Sequence, residues 1–358
     1  MEQLWIIGIC FFAGIGLRRF HILPENGGKS LTGYVIYVAL PALVLLHVHE
    51  LEFDSSLIFA ALMPHAVFAV AYILFRIVGR QRNWSAHTIV CLTLTAGLGN
   101  TSFVGLPMIQ AFFGAKHLGV GIVIDQVGSF LCLSTSGLLL LMLQEKQATE
   151  NVAATGGAYP GTVLSAHVHG ARKPSETQAH RRVSLGGGGL MLKRILAFPP
   201  FIALALALAL RWIDYPESVT SVLSDIGSTL TPVAMVAVGF QLRLSTLAGK
   251  WKPLSAGLMF RLLFAPALVL LLALGIHLAL AMPAEPVSRA YLLAAEANSL
   301  PETFRVTVFE AAMPPMITAG ILCMEYDMDA DLAGLMLGLG IPISFLTLPL
   351  WHQLLILV

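Results

Sequence analysis

Runs of about twenty predominantly apolar residues recur along nearly the whole of this chain, each long enough as a helix to cross the hydrocarbon of a bilayer. Hydrocarbon offers backbone N–H and C=O groups no water, so such segments must bond their own backbone and become helices. The balance of residue types agrees. Only 11% of the chain is charged and 57% is hydrophobic, with a mean hydropathy of +0.80, whereas a soluble domain carries about 25% charged residues. The expected fold class is an all-α polytopic membrane protein. The net charge is +1, and no basic block has the density that a phosphate backbone demands, which excludes nucleic acid as a partner. Cys10, Cys91, Cys132 and Cys323 lie in apolar stretches with neither disulfide nor zinc spacing, and read as small core residues.

Ten transmembrane helices are expected. The first five run over about 4–20, 31–48, 57–79, 87–113 and 118–143. The second five run over about 194–212, 219–242, 255–282, 303–324 and 332–357. Residues 1–143 and 194–358 thus form two halves. Between them, 144–193 includes Gly186-Gly187-Gly188-Gly189, lacks apolar periodicity and reads as a flexible cytoplasmic loop. The first apolar run begins at Leu4, and its cations, Arg18 and Arg19, follow it. That order is the reverse of a secretory signal peptide and puts the amino terminus outside. With this start, sixteen Lys and Arg residues fall on inner loops, among them Arg76, Arg80, Lys146, Arg172 and Lys250. Only Lys116, Arg211, Arg289 and Arg305 fall outside, and Arg261 is left within a span. The bias sets the orientation, with both termini outside a plasma or inner membrane. One inner loop dissents, carrying Glu325, Asp327, Asp329 and Asp331 without any cation of its own.

Two spans are interrupted. The fourth contains Gly97-Leu98-Gly99-Asn100-Thr101-Ser102-Phe103-Val104-Gly105-Leu106-Pro107, and the ninth contains Ala312-Met313-Pro314-Pro315. Glycines and prolines there weaken or break helical hydrogen bonding. A break at membrane depth survives only where it is packed in protein or lines a wet cavity. Leu40-Pro41-Ala42 of the second span and Thr231-Pro232-Val233 of the seventh are matched at an offset of 191 residues. Five spans per half is an odd number, so like-built halves must be inverted relative to each other, and paired breaks then mark a transporter's midplane site. About twenty additional residues around Glu285–Thr303 precede the ninth span and read as an outer amphipathic segment, with a re-entrant piece as the alternative.

These motifs resemble the auxin efflux carrier family, which includes plant PIN-type carriers and bacterial malonate and malate permeases. The resemblance rests on Leu40-Pro41-Ala42, Gly99-Asn100-Thr101 with Gly105-Leu106-Pro107, Pro232 with Gly239, Ala312-Met313-Pro314-Pro315, and Met324-Glu325-Tyr326. It covers the ten spans and leaves out the central loop. It implies a fold like that of sodium–bile acid symporters, with helices 4 and 9 unwound and crossing at the membrane centre. The implied substrates are malonate-like or malate-like dicarboxylates, or an auxin-like aromatic monocarboxylate.

Asn100 and Thr101 are the first candidates for substrate binding. An Asn at a break either caps freed amides or donates its NH₂ to a carboxylate, and both roles can coexist. The half-helix after the break also turns a positive dipole end toward an anion. Pro107, Met313 and Pro314 shape the breaks or touch substrate there, and Pro41 and Pro232 kink their helices and frame the cavity. Asp125, Gln126 and Glu310 are candidates for coupling. A charged group at a helix centre costs about 2.5–3.5 kcal/mol on insertion scales, so it rarely sits there idle. Burial disfavours the charged form of such an acid, which suits it to exchange a proton or to be neutralised by sodium. Ser134, Thr135 and Ser136 read as helix-packing groups, His47, His49 and His65 as interfacial, and His167, His169 and His180 as loop residues.

No nucleophile elbow, Walker loop, zinc-protease helix or Rossmann fingerprint occurs. No catalytic residue, metal site or cofactor is therefore assigned, beyond the proton or sodium that coupling would use. The expected function is a secondary carrier that moves a small organic anion across the lipid bilayer by alternating access. The alternatives are a channel or receptor on the same scaffold, and an intramembrane enzyme using Asp125 and Glu310. The assembly state, including a homodimer, is open.

Overall fold

The computed structural model describes residues 2–49, 51, 56–144, 198–242, 249–281 and 300–358. Nearly all of the central loop, most of the segment expected to be amphipathic before the ninth span, and the loop histidines lie outside the described residues. The described residues are helical apart from short connections. The helices are α1 (Glu2–Arg19), α2 (Gly27–Val48), α3 (Ser56–Gln81), α4 (Ala86–Gly97), α5 (Thr101–Phe112) and α6 (Ala115–Gln144). After the loop come α7 (Pro199–Ala209), α8 (Glu217–Gln241), α9 (Trp251–Ala279), α10 (Glu302–Ala311), α11 (Ile317–Glu325) and α12 (Ala330–Leu357).

Six of these, α2, α3, α6, α8, α9 and α12, are long and apolar enough to cross a membrane. Their outward faces carry Ile58, Ile73, Leu271, Leu346 and Leu350, all well exposed. So many exposed large apolar side chains are stable against lipid and not against water. The expected fourth and ninth spans are each split, into α4 and α5 and into α10 and α11.

Two bundles result. α1, α2, α7 and α8 pack on one another, while α3, α4, α6, α9, α10, α11 and α12 form a second group. Each half of the chain thus gives its first two expected spans to one bundle and its last three to the other. The bundles meet where α8 packs on the Thr101–Gly105 turn and α1 on the rest of α5.

Prolines shape the helices near this seam. Pro41 has no N–H for Tyr37 O, and Val35–Ala39 widens into a π turn just before it. In α9, Phe260–Phe264 is a π turn before Pro266, and the Leu262 carbonyl accepts instead from the Trp351 indole N–H (2.9 Å). Polar ties mark the two ends of the larger bundle. At one end Lys116 meets Glu302 (3.1 Å), and Leu300 N–H donates to Val358 O (2.9 Å). At the other, Asp329 caps α12 and accepts from Thr88 Oγ1 (2.6 Å) and Lys250 Nζ (3.0 Å). The acidic loop that lacked a cation in sequence therefore takes one from the start of α9.

Candidate functional site

The two breaks meet. α4 ends at Gly97, and Leu98 leaves it in an extended conformation (φ −112°, ψ 131°). α10 ends at Ala311, and Met316 is likewise extended (φ −67°, ψ 123°) before α11 begins. The stretches run antiparallel around Gly99 and Pro315. Asn100 N–H donates to Pro314 O (2.8 Å) and Met316 N–H donates to Leu98 O (3.1 Å). Backbone groups that neither broken helix can satisfy are satisfied by the other break. Gly340 of α12 permits the approach, since a Cβ there would lie 2.6 Å from Pro315 Cδ.

After its break the chain re-enters helix through a π turn at Thr101–Gly105, with Gly105 N–H bonded to Asn100 O (2.9 Å). Asn100 Oδ1 accepts from Phe103 N–H (3.2 Å) and so caps this turn. Its Nδ2 is buried and finds no partner within the protein. The capping role is thus filled by one end of the amide, and the other end still has two hydrogens to donate.

Asp125 sits on α6 in a π turn at Ile124–Phe130, and is buried against the same break. Its Oδ1 accepts from Thr101 Oγ1 (2.6 Å) and from Ser102 Oγ, and its Oδ2 from Gln126 Nε2 (2.7 Å). Glu310, on the last turn of α10, is 0% exposed, and neither of its carboxylate oxygens has a donor within the protein. Gly105 makes room for it, because a Cβ there would fall onto the Glu310 carboxylate. Gln126 Oε1 and Ser129 Oγ, on the Asp125 turn, are also buried and unpartnered. Glu310 lies within electrostatic reach of both Asp125 and Arg261.

Arg261 was legible in sequence only as a charge left inside a span. Here it is 2% exposed on the π turn of α9, and donates from Nη1 to Ala96 O (3.3 Å) and from Nη2 to Ala311 O. It therefore binds the carboxyl ends of both half-helices, one from each half of the chain. A lone cation between Phe260 and Leu262 was the available signal, because an ionisable residue in a span is by default functional. Ser129, one hydroxyl among several in α6, carries no sequence signal that sets it apart.

The expected site residues are thus largely gathered. Thr101, Ser102, Asp125 and Gln126 form one hydrogen-bonded group, with Asn100 next to Thr101 in the chain and Glu310 nearby. Met313 and Pro314 lie buried in the second break, and Pro107 is buried in the first turns of α5. Pro232 is half-buried on α8, the helix that walls the Thr101–Gly105 turn, whereas Pro41 is half-buried on α2, which packs on the start of α6. Thr135 bonds the Leu131 carbonyl of its own helix (2.6 Å). Among the described residues no three His, Cys, Asp or Glu side chains gather as a metal site.

Between the bundles, toward the carboxyl end of α1, lies a cavity of about 350 Å³. Arg18, His21 and Lys29 stand among its lining residues, and Ile317, Ile321 and Leu337 line it from the larger bundle. Ile317 directly follows Met316 of the second break. Farther along the seam, Thr231 Oγ1 donates to Gln110 Oε1 (3.0 Å), joining α8 to α5.

A profile of the membrane transport protein family matches residues 1–352. The chain belongs to that family. It is the family whose motifs the two breaks resemble. An uncharacterized transporter of Methanothermobacter thermautotrophicus is 24% identical over 353 residues, covering 98% of this chain and 96% of that protein. An uncharacterized transporter of Methanocaldococcus jannaschii is 22% identical over 369 residues, covering 99% of each. Both alignments run over nearly the full length of each chain. This is an integral membrane transport protein.

Proposed function

We propose that the transporter is a secondary carrier of a small organic anion, working by alternating access at the crossing of its two broken helices. The observation that carries this reading is the buried Nδ2 of Asn100, unpartnered at the point where the breaks meet. The amino ends of α5 and α11 start from the same crossing, each with about half a positive charge from its aligned peptides. An amide donor and two such ends suit a carboxylate, and malonate-like, malate-like or auxin-like acids fit the family.

In this reading α4 with α5 and α10 with α11 each make one crossing, giving ten crossings in two inverted halves. The polar ties support that count. Alternating crossings put the starts of α4, α9 and α12 on one face, where Thr88, Lys250 and Asp329 meet, and the starts of α6 and α10 on the other, where Lys116 meets Glu302. The cation-rich face is cytoplasmic, so the 350 Å³ cavity opens inward and the Thr231–Gln110 bond closes the outer side. One bundle rocking against the other then exchanges the two arrangements.

Coupling falls to Asp125 and Glu310. A buried carboxylate with no donor for either oxygen is stable only when neutralised by a proton or by a cation. Glu310 changes between neutralised and free as access alternates, and Asp125, held by three donors, is the fixed partner. The test is uptake of labelled malonate, malate and indole acids into proteoliposomes under imposed pH and sodium gradients. Concentrative uptake of at least one acid is expected, with gradient dependence lost in Glu310→Gln and weakened in Asp125→Asn. Absence of flux for every acid overturns the carrier reading, and flux indifferent to both gradients overturns the coupling.

A further inference from the structure

Arg261 plays no part in the substrate path just described, yet among the described residues it heads the fully buried side chains by size. Its environment explains how it is tolerated. α4 ends at Gly97 and α10 at Ala311, and the last carbonyls of each helix have no partner in the helix itself. Arg261 donates to Ala96 O and Ala311 O, one from each end. Each helix carboxyl end carries about −0.5 of a charge, so two ends converging on one point amount to about −1. A single guanidinium opposes that charge, with Glu310 also within its electrostatic reach, and its planar fork donates to both carbonyls at once while Nε stays unpartnered. Unlike an ammonium or an imidazole it also keeps its proton throughout a transport cycle.

Converging carbonyls at helix carboxyl ends are also the setting in which broken-helix carriers coordinate a sodium ion. We propose that Arg261 is a tethered cation that occupies this carbonyl cage in place of a free metal ion, and so holds the two breaks in register for the substrate anion. It is a positioning residue, and its role as such rests on the carrier reading. The cage on the Ala96 and Ala311 side then exchanges no ion during transport. Any coupling ion is confined to the Asp125 and Glu310 side, where the unpartnered oxygens lie.

Cutting the tether should make the vacated cage fillable from solution. Arg261→Met, reconstituted and assayed with the acid that the wild type accumulates, is expected to lose uptake at least about tenfold. Millimolar methylguanidinium or sodium should return several-fold of that loss in the variant while leaving the wild type unchanged. Arg261→Lys keeps the charge but not the fork, and should retain more uptake than Arg261→Met. A folded Arg261→Met with wild-type uptake, or one that no monovalent cation rescues, overturns the proposal. Should Arg261→Met fail to fold, Arg261→Lys and Arg261→Gln decide: equal uptake in the two overturns it, and a Lys variant several-fold more active supports it. The carrier reading is separated by the melting temperature of Arg261→Met in detergent. That temperature should rise with methylguanidinium and not with choline even if none of the acids is a substrate, and a flat response overturns the tethered-cation proposal alone.

Discussion

Asn100 shows how one side chain serves backbone and ligand together. Its Oδ1 caps the turn at Phe103 while its Nδ2 stays buried and unpaired. Removing a cap costs about 0.5–2 kcal/mol, which a protein of this size survives. Asn100→Ser keeps a capping oxygen for the Phe103 amide and removes the NH₂ without adding a charge near Asp125 and Glu310, so it separates the two roles. Asn100→Ser is expected to stay folded, with a melting temperature within a few degrees of wild type, and to lose uptake by an order of magnitude. Asn100→Ala should lose uptake equally and some stability besides. Normal uptake in Asn100→Ser would mean that the amide only patches its own backbone. Asp125 differs from Glu310 for a comparable reason. Thr101, Ser102 and Gln126 give Asp125 three donors, whereas Glu310 has none within the protein. The sequence placed both acids within spans and made them equals; their inequality depends on which neighbours fold onto them.

At the scale of helices, the breaks were the most legible feature. Gly97, Gly99, Gly105 and Pro107, and again Pro314 and Pro315, announce themselves because so many glycines and prolines close together weaken or break helical hydrogen bonding. The π turn that carries Asp125 did not, since Ile124–Phe130 contains no proline and only tertiary packing selects its widened form. The partner of each break was implied by the matched prolines, but the backbone bonds of Asn100 and Met316 required the fold. The seam between bundles was not legible at all, because Gln110 and Thr231 lie 121 residues apart with nothing in either segment to pair them. That pair gives a test of alternating access. Thr231 lies about 15 Å along α8 from Gln241, which lines the cavity, at 1.5 Å per residue. If the seam opens there when the cavity closes, tying it shut stops the cycle. Gln110→Cys with Thr231→Cys, treated with a short bis-methanethiosulfonate that links the two thiols through mixed disulfides, should lose nearly all uptake and regain it on reduction. Each single variant, treated alike, should keep its uptake. Unimpeded flux through the cross-linked protein would show that the two bundles do not part at this seam.

For the whole molecule, charge decides orientation and packing decides count. Composition alone fixed the class, since a chain with 11% charged residues and so much exposed Leu and Ile has only lipid as a solvent. Among the described residues length and hydropathy alone mark six helices as able to cross; α4, α5, α7, α10 and α11 are each too short to span by themselves, and α1 is not one of the six. In the proposed carrier α4 with α5 and α10 with α11 make one crossing each, and α1 and α7 one each besides the six, which gives five crossings in each half. Odd halves place Glu25 and Arg82 on one face and Lys116 on the other. Glu25, Arg82 and Lys116 are all exposed, so single cysteines there perturb little. The native cysteines are buried, apart from half-buried Cys10, which gives a low background. In intact cells a membrane-impermeant thiol reagent should label Lys116→Cys and spare Glu25→Cys and Arg82→Cys until the membrane is opened. Labelling of all three from one side would break the ten-crossing count, since it would require α4 with α5 not to traverse the bilayer. Labelling in the reverse sense would keep the count and invert the molecule. The 350 Å³ cavity with Arg18, His21 and Lys29 would then face outward, and the basic vestibule would gather anions for uptake from the opposite side.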